Sequence, residues 1–236
     1  MKASAMQASL MLLALLFAMP ANADDGDRFN DRVIVTSANI YYCRLEVVSE
    51  ADATAKIVDR EDEGNGYVNT LSTASNTLTS FRIKNEATNI SNGKTYRIIG
   101  IGKNAFRDMA ACTKIVYLGD YIEFIEDEAF MGCEKLASIH LPEGLKTIGA
   151  KAFWNCKELS CTNVDDSNDS NLNLPSSLER IGQQAFQNCA KLENVLFPDG
   201  LQYIDRWAFA FVLPSPTWNC PMAWTSLEVP SPFVRM

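Results

Sequence analysis

The chain has 236 residues, 47% of them hydrophobic and 21% charged, with 29 acidic against 21 basic residues and a net charge of −8. Such a surface is a poor match for nucleic acid or an anionic membrane, both of which need a basic patch. Seven cysteines but a single histidine, and no Cys-x-x-Cys pair, leave little material for a zinc centre.

The amino terminus reads as a cleavable leader, residues 1–23. Lys2 precedes an apolar run over residues 10–19, Pro20 breaks it, and Ala21, Asn22 and Ala23 place small residues where a signal peptidase cuts, after Ala23. The run is too short for a permanent membrane span, and no later segment is long and apolar enough. Cys43 is the first cysteine, too distant for a lipid-modified terminus. Export to the periplasm, the cell surface or the medium is expected, without membrane insertion after the leader is removed. Its loss takes away only Lys2 among charged residues, leaving 20 basic residues and a net charge of −9.

Residues 24–97 read as a β-rich cap. Tyr41, Cys43, Leu45 and Val47 alternate with Tyr42, Arg44 and Glu46, the pattern of a half-buried strand. Ala55 and Ile57 predict a returning partner, and Asn65-Gly66 a turn. Leu78, Phe81 and Ile83 carry the spacing of a repeat strand, so a solenoid sheet is expected to begin there, followed by an irregular loop to Ile98.

Residues 98–212 repeat one phrase: an isoleucine, three variable positions, then alanine and phenylalanine, at 101–106, 125–130, 148–153, 181–186 and 204–209. The isoleucines lie 24, 23, 33 and 23 residues apart, a period that means stacked coils. After Phe130 come Cys133, Leu136, Ile139, Leu141, Pro142 and Leu145; after Phe186 come Cys189, Leu192, Val195, Phe197, Pro198 and Leu201. The third full copy keeps Cys156, Leu159, Leu172, Leu174, Pro175 and Leu178 with ten extra residues between Leu159 and Leu172. The mixed spacing fits neither a helix stripe nor a long strand; it predicts one short strand and one tight turn per coil. A single coil buries too little to offset the entropy of ordering it, so neighbours must complete each other's core.

Ile-Gly-x-x-Ala-Phe, then Cys-x-x-Leu, then Leu-Pro and a further Leu, resembles the BspA-type leucine-rich repeats of bacterial surface and secreted proteins. Residues 92–102, with Asn92, Gly93, Tyr96 and Gly100, are similar to the lead-in to the first repeat in secreted proteins of gut Bacteroidetes, and Ile40, Tyr41 and Tyr42 resemble their first strand. The likeness covers roughly residues 38–210. It implies an α/β repeat class: a right-handed leucine-rich-repeat solenoid whose short strands form a parallel sheet, with a β-rich amino-terminal cap and an irregular carboxy-terminal one. It implies adhesion or ligand binding, with no catalytic residue to carry over. Three departures stand out. Glu126 and Asp205 replace the glycine after the isoleucine, so that position does not demand a positive φ. One extra residue between Phe106 and Val116 puts Cys112 out of register, with Met109 as the substitute. The fifth copy fades after Phe209, with Val212 at the cysteine's place.

Residues 213–236 hold five of the nine prolines, with Trp218 and Trp224. They read as an irregular cap on the last coil; an exposed aromatic patch and a frayed tail are the alternatives.

Cys133, Cys156 and Cys189 each follow a repeat phenylalanine by three, an inward position that predicts buried free thiols rather than disulfides; Cys43, Cys112, Cys161 and Cys220 are left open. Asp165, Asp166 and Asp169 in the insertion could offer oxygen ligands to calcium, but the glycine and distal glutamate of a calcium loop are missing, so a flexible polar loop is expected. Asn89 and Asn168 begin glycosylation sequons that count only in a glycosylating host. The acidic groups at 61–63 and 126–128 read as solvated turns. His140 should point out of the sheet between inward Ile139 and Leu141, and the same alignment puts Arg82, Tyr117, Asn173 and Leu196 in its column, beside Ser80, Asn171 and Asn194. That column is the candidate recognition surface for a protein or glycan. His140 has no nucleophile or orienting acid in any motif, so no enzyme, catalytic residue, metal or cofactor is expected. The function expected is binding or adhesion at the cell surface; a structural or accessory subunit of a polysaccharide-processing assembly is the alternative.

Overall fold

A computed structural model describes residues 28–35, 40–58, 79–160, 162 and 171–212. The leader, the Asn65-Gly66 turn, Leu78, most of the acidic insertion, Cys161, Cys220 and the Pro/Trp-rich segment lie outside the described residues. Among the described residues no helix is long and apolar enough to cross a membrane.

Each regular coil contributes two short parallel strands, not the single one expected. The first ladder carries the leucine-rich strand: β4 (Ser80–Ile83), β7 (Lys114–Tyr117) and β9 (Ser138–Ile139), then β11 (Asn171–Asn173) paired with β13 (Asn194–Leu196). The second is built on the motif isoleucine: β3 (Thr54–Val58), β6 (Thr95–Ile101), β8 (Phe124–Ile125), β10 (Thr147–Ile148), β12 (Arg180–Ile181) and β14 (Tyr203–Ile204), with Ile57, Ile101, Ile125, Ile148, Ile181 and Ile204 in register. An antiparallel pair, β1 (Arg28–Val35) and β2 (Ile40–Ser49), joins the two ladders, since β2 pairs with β3 and β1 with β4. Ala55 and Ile57 face Val47 and Leu45, the returning partner that their spacing predicts. The segment before Ile98 is not an irregular loop: β5 (Glu86–Thr88) turns back through an Asx turn at Asn89 to pair with β6. Asn89 is largely buried and its side-chain oxygen accepts from Ser91 N at 2.9 Å, which leaves it poorly placed to be glycosylated.

A third set of coil-to-coil bonds runs the opposite way. The N–H groups of Phe106, Phe130, Phe153 and Phe186 donate to the carbonyls of Ala129, Ala152, Ala185 and Ala208 in the following coil, at 2.7–2.8 Å. The Ala-Phe pair of the motif is thus both side-chain core and backbone ladder.

No helix occurs among the described residues, so the helical half of the expected class is not found there. The reason is local. Two residues four apart in each coil take positive φ: Asn104 and Asp108, Glu128 and Gly132, Lys151 and Asn155, Gln184 and Asn188, Trp207 and Phe211. A right-handed helix cannot pass through such residues, so the segment winds as successive turns. Lys151, at φ 54°, stores strain that glycine would not. Lys151→Gly is expected to raise stability by roughly 0.5–1 kcal/mol, the left-handed penalty less the entropy of glycine, read as a higher urea midpoint.

The core is a column of rings. Phe81, Phe106, Phe130, Phe153, Phe186 and Phe209 stack with centroids 5.1–5.3 Å apart, and the planes from Phe106 to Phe209 lie within 12° of parallel. Beside it, the thiols of Cys133, Cys156 and Cys189 donate to the carbonyls of Phe106, Phe130 and Phe153 one coil back, at 3.1–3.3 Å. Cys112 is buried but donates to Lys114 O, two residues on in its own coil, at 3.7 Å, out of register as its extra residue predicts, and Met109 is buried as well. All five described cysteines are free, and burial pushes every one of these thiols up, Cys112 to about 12. Since the thiolate is the reactive form, Cys43, Cys112, Cys133, Cys156 and Cys189 should resist iodoacetamide at pH 8 in the native state and react once the chain is unfolded in urea. Peptide mass spectrometry reads the outcome site by site.

The acidic run at 126–128 is not merely solvated. Glu126 takes Lys56 Nζ at 2.8 Å and Lys103 N at 3.0 Å, Asp127 takes Ala150 N at 2.7 Å, and Glu128 takes Arg107 at 2.6 Å. Each therefore ties one coil to another.

Candidate functional site

The strand ladder determines which outward side chains meet. Arg82 lies opposite Tyr117 across β4 and β7, after a bulge that skips one residue of β7. The Tyr117 and His140 rings stack at 6.1 Å with 18° between planes. Arg82 and His140 are exposed and Tyr117 is half-buried, so three of the five expected residues form one row on the first coils. Asn173 and Leu196, both exposed, pair directly on the later coils.

The two groups do not form one continuous column. Ser160 N donates to Ala137 O at 3.0 Å, just as Ala137 N donates to Thr113 O at 2.7 Å, so Ser160 continues the ladder after β9. Thr162 N then donates to Asn171 O at 3.1 Å, and Asn173 N donates to Thr162 Oγ1 at 3.0 Å. The insertion thus supplies an additional rung between His140 and Asn173. Thr162, buried where the regular coil has Ile139, gives no apolar signal that would have revealed it.

Behind Tyr117 the structure places two residues that spacing alone does not suggest. The Tyr117 hydroxyl donates to Asn85 Oδ1 at 3.1 Å, Asp120 N donates to the same oxygen at 2.9 Å, and Asn85 Nδ2 returns a bond to Asp120 Oδ2 at 3.0 Å. Gly119, at φ +93°, makes this turn, and a Cβ there would sit 3.3 Å from Asn85 Oδ1. The adjacent Tyr117 hydroxyl and the Asn85 amide, helped by the nearby His140, hold the Asp120 carboxyl below its ordinary range. Burial, then the Asp120 carboxylate, pushes the Tyr117 phenol up. Asp120 is therefore a fixed anion and Tyr117 a neutral hydroxyl across the physiological range. A guanidinium, a stacked ring pair and a fixed carboxylate can bind by hydrogen bonding, stacking and charge.

A sequence profile described as BspA type Leucine rich repeat region matches residues 99–209 and 164–228, in six copies. Among solved structures, the chain is similar to a leucine-rich repeat protein of T. pallidum, at 26% identity and a TM-score of 0.44 over 56% of this chain and 59% of that one. It is also similar to a leucine-rich cell surface protein of Faecalibacterium prausnitzii, at 20% and 0.49 over 77% and 50%, and to a leucine-rich repeat protein of Bacteroides ovatus, at 18% and 0.39 over 75% and 52%. The chain spans 50% to 59% of the length of these three proteins. No protein of curated function matches it significantly.

Proposed function

We propose a function that starts from the family, because the chain belongs to the BspA-type leucine-rich repeat proteins: an exported, non-catalytic solenoid that holds a protein or glycan ligand on its strand face. Export rests on the leader at residues 1–23. The observation that carries the binding reading is the row Arg82, Tyr117 and His140, set on β4, on β7 and directly after β9, with Arg82 and His140 exposed and Tyr117 half-buried between them. Such a row is pre-organised, because the strands fix its side chains before any ligand arrives, and binding then loses little conformational freedom. Asn173 and Leu196 extend the face across the additional rung. Its charge favours an acidic or neutral surface opposite Arg82, despite the acidic chain as a whole.

The test is capture of host and neighbouring-cell glycoproteins, and of arrayed glycans, by the purified chain. The double substitution Arg82→Ala with His140→Ala should weaken capture about tenfold or more, the loss expected of centrally placed anchors. Capture of nothing, or capture that the double variant leaves unchanged, removes this reading.

A further inference from the structure

Around the corner from the strand face, a groove of about 260 Å³ opens between the isoleucine ladder and the turns that lead into it. Its lining includes Arg97 and Ile99 of β6, Asp120, Tyr121 and Glu123 from the connection between β7 and β8, and Lys146 just before β10. Three successive coils contribute, so the groove exists only in the stack.

The chemistry of the lining is specific. Tyr121 is 40% exposed, and the Arg97 guanidinium lies 5.6 Å from its ring centroid, steadying the ring at the surface. Lys146 and Glu123 are ion-paired at 2.7 Å, and Asp120 is held in place by Asn85. Two cations and two carboxylates thus line the groove together with one aromatic ring and the aliphatic side chain of Ile99. A charged ligand of either sign would meet a like charge at contact distance. A ring with one apolar face and a rim of hydroxyls would meet an aromatic platform and polar groups able to donate and to accept.

We propose that this groove binds one neutral hexose ring of a glycan, its apolar face on Tyr121 and its hydroxyls shared among Arg97, Asp120 and the Lys146–Glu123 pair. The volume suits a single ring and not a folded chain. The groove shares Asp120 with the strand face, but Arg82, Tyr117 and His140 do not line it, so either assignment can fail without the other.

Saturation-transfer NMR on the purified chain decides it, with methyl β-glucoside, methyl β-galactoside and methyl α-mannoside as probes and galacturonate as the charged comparison. At least one neutral hexoside should bind saturably, in the millimolar range, with transfer strongest to its ring C–H protons. Tyr121→Ala should weaken that binding about tenfold, Tyr121→Phe should keep it, and Arg82→Ala should leave it unchanged. Arg97→Ala, which frees the ring from its cation, should also weaken it without touching the core. No saturable binding of any of the three hexosides, binding undiminished in both Tyr121→Ala and Arg97→Ala, or stronger binding of galacturonate than of every neutral probe would overturn the assignment.

Discussion

Phe153→Ala is expected to cost about 3–5 kcal/mol, the range for truncating a buried phenylalanine, out of a total stability on the order of 5–15 kcal/mol. Phe153 is fully buried and lies between Phe130 and Phe186, at 5.2 and 5.1 Å, so one truncation removes two stacking contacts. Its backbone bond to Ala185 survives, but the hole opens in the middle of the interface and leaves the Ile148–Ile181 rung and the Cys189 thiol bond to hold the coils together. In a stack whose stability is a sum of nearest-neighbour terms, that interface becomes the place where the chain parts. Urea unfolding followed by circular dichroism should show an early transition or a reduced slope, as well as a lower midpoint. Phe81→Ala makes the comparison: among the described residues that buried ring stacks on Phe106 alone, with 29° between the planes. Its loss should be clearly smaller. Equal losses at both positions would mean that the column does not stabilise the fold coil by coil.

The ring column was legible because its signal is one residue type at one interval, and the backbone turns each recurrence into a stacked position. The inward thiols followed for the same reason, and so did the leucine-rich strand, where apolar alternation at 81–83 or 195–197 is long enough to register. The isoleucine ladder was not legible. Its strands from β8 onward are two residues long, below the length at which alternation can be told from chance, and their outward partners Phe124, Thr147, Arg180 and Tyr203 share no chemistry. The left-handed turns were hidden too: asparagine at 104, 155 and 188 hints at them, but Glu128, Lys151, Trp207 and Phe211 do not. For the candidate site, the row Arg82, Tyr117 and His140 came from register alone, and the split before Asn173 was missed because Thr162 fills an apolar rung with a polar residue. Asn85 and Asp120, and likewise Arg97 and Tyr121, come from different coils, and no spacing in the sequence points from one to the other.

Gly182→Ala is the second large effect, with an expected loss of about 1–3 kcal/mol, the range for adding atoms to a packed interior. The glycines after the motif isoleucine are not there for a positive φ. A Cβ on Gly182 would stand 2.6 Å from both Ala150 N and Gly149 C, and one on Gly149 equally close to Asp127 N and Glu126 C. All four are backbone atoms and cannot swing aside. The coils approach this closely because the rings set the spacing, 5.1 Å between Phe153 and Phe186, and the isoleucine ladder bonds across the same gap, Gly182 N to Ile148 O at 2.7 Å. A methyl group on Gly182 wedges that interface open and so loosens the ring stack it shares. Gly144→Ala is the control: its nearest neighbour would be Asp120 O at 3.4 Å, an ordinary contact, so it should be neutral or stabilising by up to about 1 kcal/mol through the unfolded chain. Combining Gly182→Ala with Phe153→Ala tests the shared interface directly. If both act on one gap, the double variant should lose less than the two single losses together, by about 0.5–3 kcal/mol. Strict additivity in thermal or urea unfolding would mean that glycine and ring support separate parts of the fold.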